Sequence, residues 1–206
     1  LSGLKKENFR SLEDGAPQAI TNFSPSEAAI TMVILVEFSR FYYGIFSAYA
    51  TYMAEDFVQH LGKADWVALV SYDIKPRIEV DFTQNKYDVA QAARRMYFPG
   101  FSESNLFDAL LDTLDRLHDV KGKKSILILA SGVDTFSKHT LDDVLKRLRQ
   151  SDVTIFTIPV AQDFLLRMDA AGYLGNISRM TFMQAENQMR AFAQMTGGRS
   201  WSPRFE

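Results

Sequence analysis

The chain has 206 residues, of which 47% are apolar and 23% charged. That is the composition of an ordinary globular core, and it excludes an intrinsically disordered chain. A net charge of −2 offers no basic field to a nucleic acid, and no apolar run reaches the roughly 18 residues of a membrane-spanning helix. The lack of cysteine removes disulfides, thiolate metal sites and cysteine nucleophiles together.

Leu1 rather than Met opens the chain, which reads as a fragment with room for a targeting segment upstream. Residues 1–23 form a polar prologue. Within it 9–12 read as a strand, Glu13-Asp14-Gly15 as a turn and 18–23 as a returning strand, a β-hairpin or hooked extension. Residues 22–26, with Pro25, mark a linker. The expected organisation is an N-terminal β extension and linker over 1–26 and a main domain over 27–206.

The main domain is organised around residues 30–41, ITMVILVEFSRF. Its first seven residues have no polar alternation after Thr31, the pattern of a central parallel strand covered on both faces. The run breaks into Glu37-Phe38-Ser39-Arg40-Phe41. An open α/β sheet places its ligand at such a strand end. Residues 44–61 then show helical spacing and 66–72 (WVALVSY) a second buried strand. Beyond Lys75-Pro76, residues 78–82 predict an antiparallel edge strand.

Residues 85–96 and 105–117 read as helices, with Ser104 and Asn105 as equal cap candidates for the second. The strand 125–130 (SILILA) ends in Ser131-Gly132-Val133-Asp134-Thr135. An amphipathic helix over 141–150 and a strand over 153–160 follow. Residues 161–180 are the least legible, a helix plus a Gly172/Gly175 loop. A helix over 182–195 ends at Thr196-Gly197-Gly198 as a C-cap, and 199–201 read as a short edge strand. Strands alternating with helices predict a three-layer α/β/α, doubly wound and mostly parallel sheet with one antiparallel edge strand.

Phosphate-loop, dinucleotide and nucleophile-elbow motifs are absent from the sequence. His60, His118 and His139 are scattered and read as solvated. Asp112, Asp115 and Asp119 read as a solvated helix face beside Arg116 and Lys121. Asn176-Ile177-Ser178 fits a glycosylation sequon, a tripeptide common by chance. The eight methionines read as core filler.

Three loops now stand at strand ends, and the order of the elements resembles the von Willebrand factor type A (VWA) domain. The resemblance runs from the acid-and-Ser strand end through WVALVSY, SNLFDALLDTL and SILILASGVDT to TIFTIPV. The prologue GLKKENFRSLEDGAPQAITNF resembles, more narrowly, the lead-in of VWFA-related proteins described from Acidobacteria. The resemblance implies a Rossmann-like fold, a protein-binding or adhesion role without catalysis, and a metal-ion-dependent adhesion site (MIDAS). Its first loop is Asp-x-Ser-x-Ser, its second supplies a Thr and its third an Asp. Here those positions read Glu37, Ser39, Phe41, Ser104 and Ser131. Ser39 is identical, Glu37 and Ser104 are conservative changes, and Phe41 and Ser131 lose an oxygen ligand and an acid.

A hard cation wants several oxygens and negative charge, so this MIDAS is expected to be degenerate and metal-free, with no cofactor. If Mg²⁺ or another divalent cation does bind, Glu37, Ser39 and Ser104 are its ligands. The face that relatives use for metal is expected to present aromatic side chains to a protein partner. Phe38, Tyr42, Tyr43, Phe98, Phe101 and Phe136 are the candidates, with Asp134 beside them. The alternatives are a metal-dependent adhesion domain and, remotely, a hydrolase with Glu37 or Asp134 as base beside Ser39. Strand addition or homo-oligomerisation through the prologue is a further reading. The resemblance also implies an extracytoplasmic setting, secreted or envelope-associated.

Overall fold

The computed structural model describes residues 4–20, 23, 29–40, 56–96, 99–160, 170–172 and 175–201. Two short strands, β1 (Ser11–Glu13) and β2 (Ala16–Gln18), pair antiparallel in a sheet of their own. Asp14 and Gly15 both take positive φ, 51° and 82°, the two-residue turn that Asp-Gly favours because its twist matches the strands. A hairpin forms, but its strands lie closer to the turn than the expected 9–12 and 18–23: Glu13 belongs to β1, and β2 begins at Ala16 and ends at Gln18.

The main sheet has five strands: β3 (Ile30–Glu37), β4 (Trp66–Tyr72), β5 (Pro76–Thr83), β6 (Lys123–Ala130) and β7 (Val153–Pro159). Their spatial order is β5-β4-β3-β6-β7. β3 is flanked by β4 and β6, both parallel to it, and only β5 runs antiparallel, on β4. Pro76 is the first residue of β5 rather than a separator before it, a position where its missing N–H costs no central ladder bond.

The helices are α1 (Lys86–Arg95), α2 (Leu106–Arg116), α3 (Leu141–Arg149) and α4 (Asn176–Met195), with a helical turn at 56–59. Period-two alternation along β3 splits the core. Val33 and Leu35 pack with Leu106, Leu110, Leu148 and Phe192 from α2, α3 and α4. Met32, Ile34 and Val36 pack with Val58, Val89 and Ala93 on the opposite face. Continuous apolarity was therefore the correct sign of a strand covered twice.

Two expectations change. The last helix starts at Asn176, six residues before the expected 182, behind an extended Gly175 with no side-chain cap to announce it. Residues 199–201 make only an isolated bridge, Thr157 with Ser200, and Trp201 stacks on Phe156 at 5.7 Å. The expected helix over 44–61 lies largely outside the described residues, as do Phe41, Tyr42, Tyr43 and Phe98.

Candidate functional site

β3 sends its chain to β4 on one side and pairs with β6 on the other, so the crevice at their C-terminal ends is the switch point of the sheet. Glu37 ends β3 there and is 1% exposed. Its Oε1 accepts a hydrogen bond from the Ser39 hydroxyl at 2.9 Å. Its Oε2 accepts from the Ser131 backbone N–H at 2.8 Å and the Ser131 hydroxyl at 2.7 Å. Ser131 is the first residue beyond β6, so this carboxyl closes the crevice with side chains of the chain itself. Burial pushes the Glu37 carboxyl above the usual glutamate range, against the opposing pull of its Ser131 and Ser39 bonds, and nearby Asp134 adds repulsion.

The second and third loops are tied together by their backbones. Ser104 N–H donates to Thr135 Oγ1 at 2.9 Å, and the Thr135 and Phe136 N–H groups donate to Ser104 O at 2.8 and 3.0 Å. Asn105 occupies the N-cap position of α2, yet its side chain caps nothing and donates instead to Ile74 O at 2.7 Å. The cap comes from the third loop. Asp134 Oδ2 accepts from Phe107 N–H at 2.9 Å, and Ser137 Oγ accepts from Asp108 N–H at 3.1 Å. Asp108 in turn accepts from the Lys138 and His139 N–H groups and lies 2.7 Å from His139 Nδ1. No local motif announces a cap donated across about 30 residues, which is why sequence reading offered only Ser104 and Asn105.

The same loop is held from behind by α4. Gly132 takes φ +84°, and a Cβ there would lie 2.7 Å from Met189 Cγ and 2.8 Å from Ala185 O. Gln188 Nε2 donates to Gly132 O. Glycine is needed here for both conformation and space.

The residues singled out from the sequence are therefore sorted. Glu37, Ser39 and Ser131 converge in one buried cluster, and Ser104 is buried too. Ser104 Oγ has no hydrogen-bond partner among the described residues, and neither do Asp73 Oδ2 and Asn105 Oδ1. No group of three or more His, Cys, Asp or Glu is arranged to hold a metal ion among the described residues. Phe101 and Phe136 are 47% and 58% exposed. Phe38 corrects the expectation: it is 7% exposed, and its N–H donates to Tyr72 O at 2.7 Å just beyond the end of β3, beside the strand ends rather than out on the loop face. Asp134 also departs from it, since capping α2 and bonding Ser137 occupy both of its oxygens. The sequence reading did not single out Asp73, which is fully buried and ion-paired with Arg77 at 2.7 Å.

A mostly parallel sheet with one antiparallel edge strand, held between two helical layers, defines a class of three-layer α/β domain. The chain belongs to the von Willebrand factor type A domain family, whose model matches residues 32–194. VWA domains mediate protein interactions. No curated protein matches. Among solved structures, the chain is similar to the conserved hypothetical protein BatB from Bacteroides thetaiotaomicron at 9% identity and TM-score 0.62, over 86% of this chain and 92% of that one. It is similar to proximal thread matrix protein 1 from the mussel byssus at 14% identity and TM-score 0.52, over 63% and 35%. The type V pili tip protein Mfa5 from Porphyromonas gingivalis matches at 18% identity and TM-score 0.44, over 52% of this chain. The chain spans only 20% of that three-domain Mfa5 chain. At these identities the BatB and thread matrix protein likenesses show the fold alone.

Proposed function

We propose that this chain is a non-enzymatic VWA interaction module that binds a protein partner through the loops at the C-terminal ends of its strands, without a metal ion. The observation that carries the reading is the bonding of Glu37. Both of its oxygens are taken by donors of the chain, so a cation at this point would have to displace Ser39 or Ser131 from a buried carboxyl. Ser131 stands where an acid would add charge. With burial already favouring the protonated form of Glu37, the donor set is a poor match for a hard divalent ion. The exposed rings of Phe101 and Phe136 are the kind of anchors that protein interfaces use.

The thermal midpoint of the chain tests this. It is expected to be the same in chelator and in millimolar Mg²⁺, Ca²⁺ or Mn²⁺. An ion present at 100 times its dissociation constant stabilises by about 2.7 kcal/mol, a rise of a few degrees. Such a rise, absent in Glu37→Gln, would restore the metal-dependent reading, with Ser39 and the unpartnered Ser104 hydroxyl as the remaining ligands. The hydrolase reading has less support: Ser39 is 2% exposed and its hydroxyl donates to Glu37 inside the cluster.

A second reading rests on the hairpin. Every residue of β1 and β2 is exposed, Leu12 at 60%, and an isolated two-stranded hairpin is marginal in water. We propose that it docks on a second copy of the chain. Sedimentation is expected to show a concentration-dependent dimer that disappears when residues 1–26 are deleted. A monomer at all concentrations removes this reading. The narrower kinship with VWFA-related proteins from Acidobacteria and an extracytoplasmic setting belong to the same proposal. The kinship rests on the prologue, which lies outside the matched 32–194, and the setting rests on the family resemblance. No helix among the described residues is long and apolar enough to cross a membrane.

A further inference from the structure

Charge is distributed unevenly over the strand-end loops. Among their described residues, Asp73 is buried and paired with Arg77, and Asp134 is consumed in capping α2. Glu37 is buried inside the cluster with Ser39 and Ser131. Arg40, Lys75 and Lys138 are exposed, against Glu103 as the exposed acid. Among the described residues, Glu37 and Asp73 thus turn inward at this pole while Arg40, Lys75 and Lys138 face outward beside the exposed Glu103 and the part-exposed Asp108. Cations and aromatic rings also lie side by side. Arg40 N–H donates to Phe101 O at 2.7 Å, and its guanidinium reaches Gly100 O at 3.5 Å, so Arg40 and Phe101 share one edge. Ser104, three residues after Phe101, accepts from Phe136 N–H at 3.0 Å, and Lys138 follows two residues on. The loops that carry these four side chains are hydrogen-bonded to one another or to α2, which presents the face pre-organised.

We infer that the partner is an acidic protein segment carrying an apolar side chain, its carboxylate held by the Arg40 guanidinium and its apolar group by Phe101 and Phe136, with Lys138 adding attraction. The inference rests on the proposed role of this face. An exposed guanidinium holds a carboxylate through two parallel N–H bonds and needs no cation between them. A nucleic acid or an anionic membrane asks instead for a broad basic field, which these three cations do not make.

The test selects phage-displayed random peptides on the full chain in chelator, then measures the recovered peptides by fluorescence anisotropy. Enriched peptides are expected to pair Asp or Glu with an aromatic or aliphatic residue. Their affinity should fall about tenfold in Arg40→Gln, and should weaken as salt rises. Peptides that need Phe101 and Phe136 but carry no acid, or acidic peptides that bind Arg40→Gln equally well, overturn the acidic partner while leaving the binding face. Recovery of nothing that distinguishes the parent from a Phe101→Ser/Phe136→Ser double variant overturns the face itself.

Discussion

Glu37→Gln is expected to fold and, as pH rises, to become more stable than the parent. The amide preserves the cluster. Its oxygen accepts the two Ser131 bonds, and its NH₂ donates to Ser39, whose hydroxyl rotates to accept. What it removes is the cost of ionising a buried carboxyl. The folded-state pKa of Glu37 is raised, so the parent holds its full share of stability below the unfolded glutamate value, where both states are protonated. It loses that share as pH rises through the raised pKa. Thermal midpoints of the two proteins should therefore coincide below the unfolded glutamate pKa of roughly 4.3 and diverge in favour of Gln as pH rises above it. A parent that gains on Glu37→Gln with rising pH would mean that the ionised carboxylate has a favourable partner, and a metal ion would be the first candidate. Glu37→Ala is the contrasting case. It leaves the Ser131 N–H without an acceptor and opens a void at the switch point. We expect a loss of roughly 2 kcal/mol, read from denaturant midpoints near neutral pH.

Gly132→Ala is expected to cost about 2–4 kcal/mol, from a left-handed backbone imposed on a non-glycine residue plus overpacking against α4. The clashing atoms include the backbone oxygen of Ala185, which cannot turn aside as a side chain can. Gly132 O also receives Gln188, so the strain should spread along the third loop to Asp134 and the cap of α2. Urea unfolding gives the stability, and amide hydrogen exchange at Phe107 and Asp108 reads the cap. A variant as stable as the parent, with the Phe107 and Asp108 amides equally protected, would show that the loop is not held by this packing.

The strands of the main sheet are legible within about two residues because their signal is local. Apolar runs at 32–36, 66–70 and 126–130 are the pattern of strands buried on both faces, and Asp-Gly favours a two-residue turn by backbone preference. The amphipathic helix beginning at Leu141 is equally plain, with Thr140 and Asp143 forming a capping box visible in the sequence. The family followed from the order of these pieces. What happens at the ends of the strands is not local. Glu37 meets Ser131 across 94 residues and Asp134 caps α2 across 27. Phe38 and Phe101 are both aromatics in loops with a backbone hydrogen bond to a neighbouring segment, yet Phe38 is buried and Phe101 is left half-exposed. Composition and periodicity determine that such residues arrive at one pole of the sheet. Which of them turn inward to satisfy each other, and which remain outside to meet a partner, depends on hydrogen bonds between distant loops, and only the tertiary structure decides those.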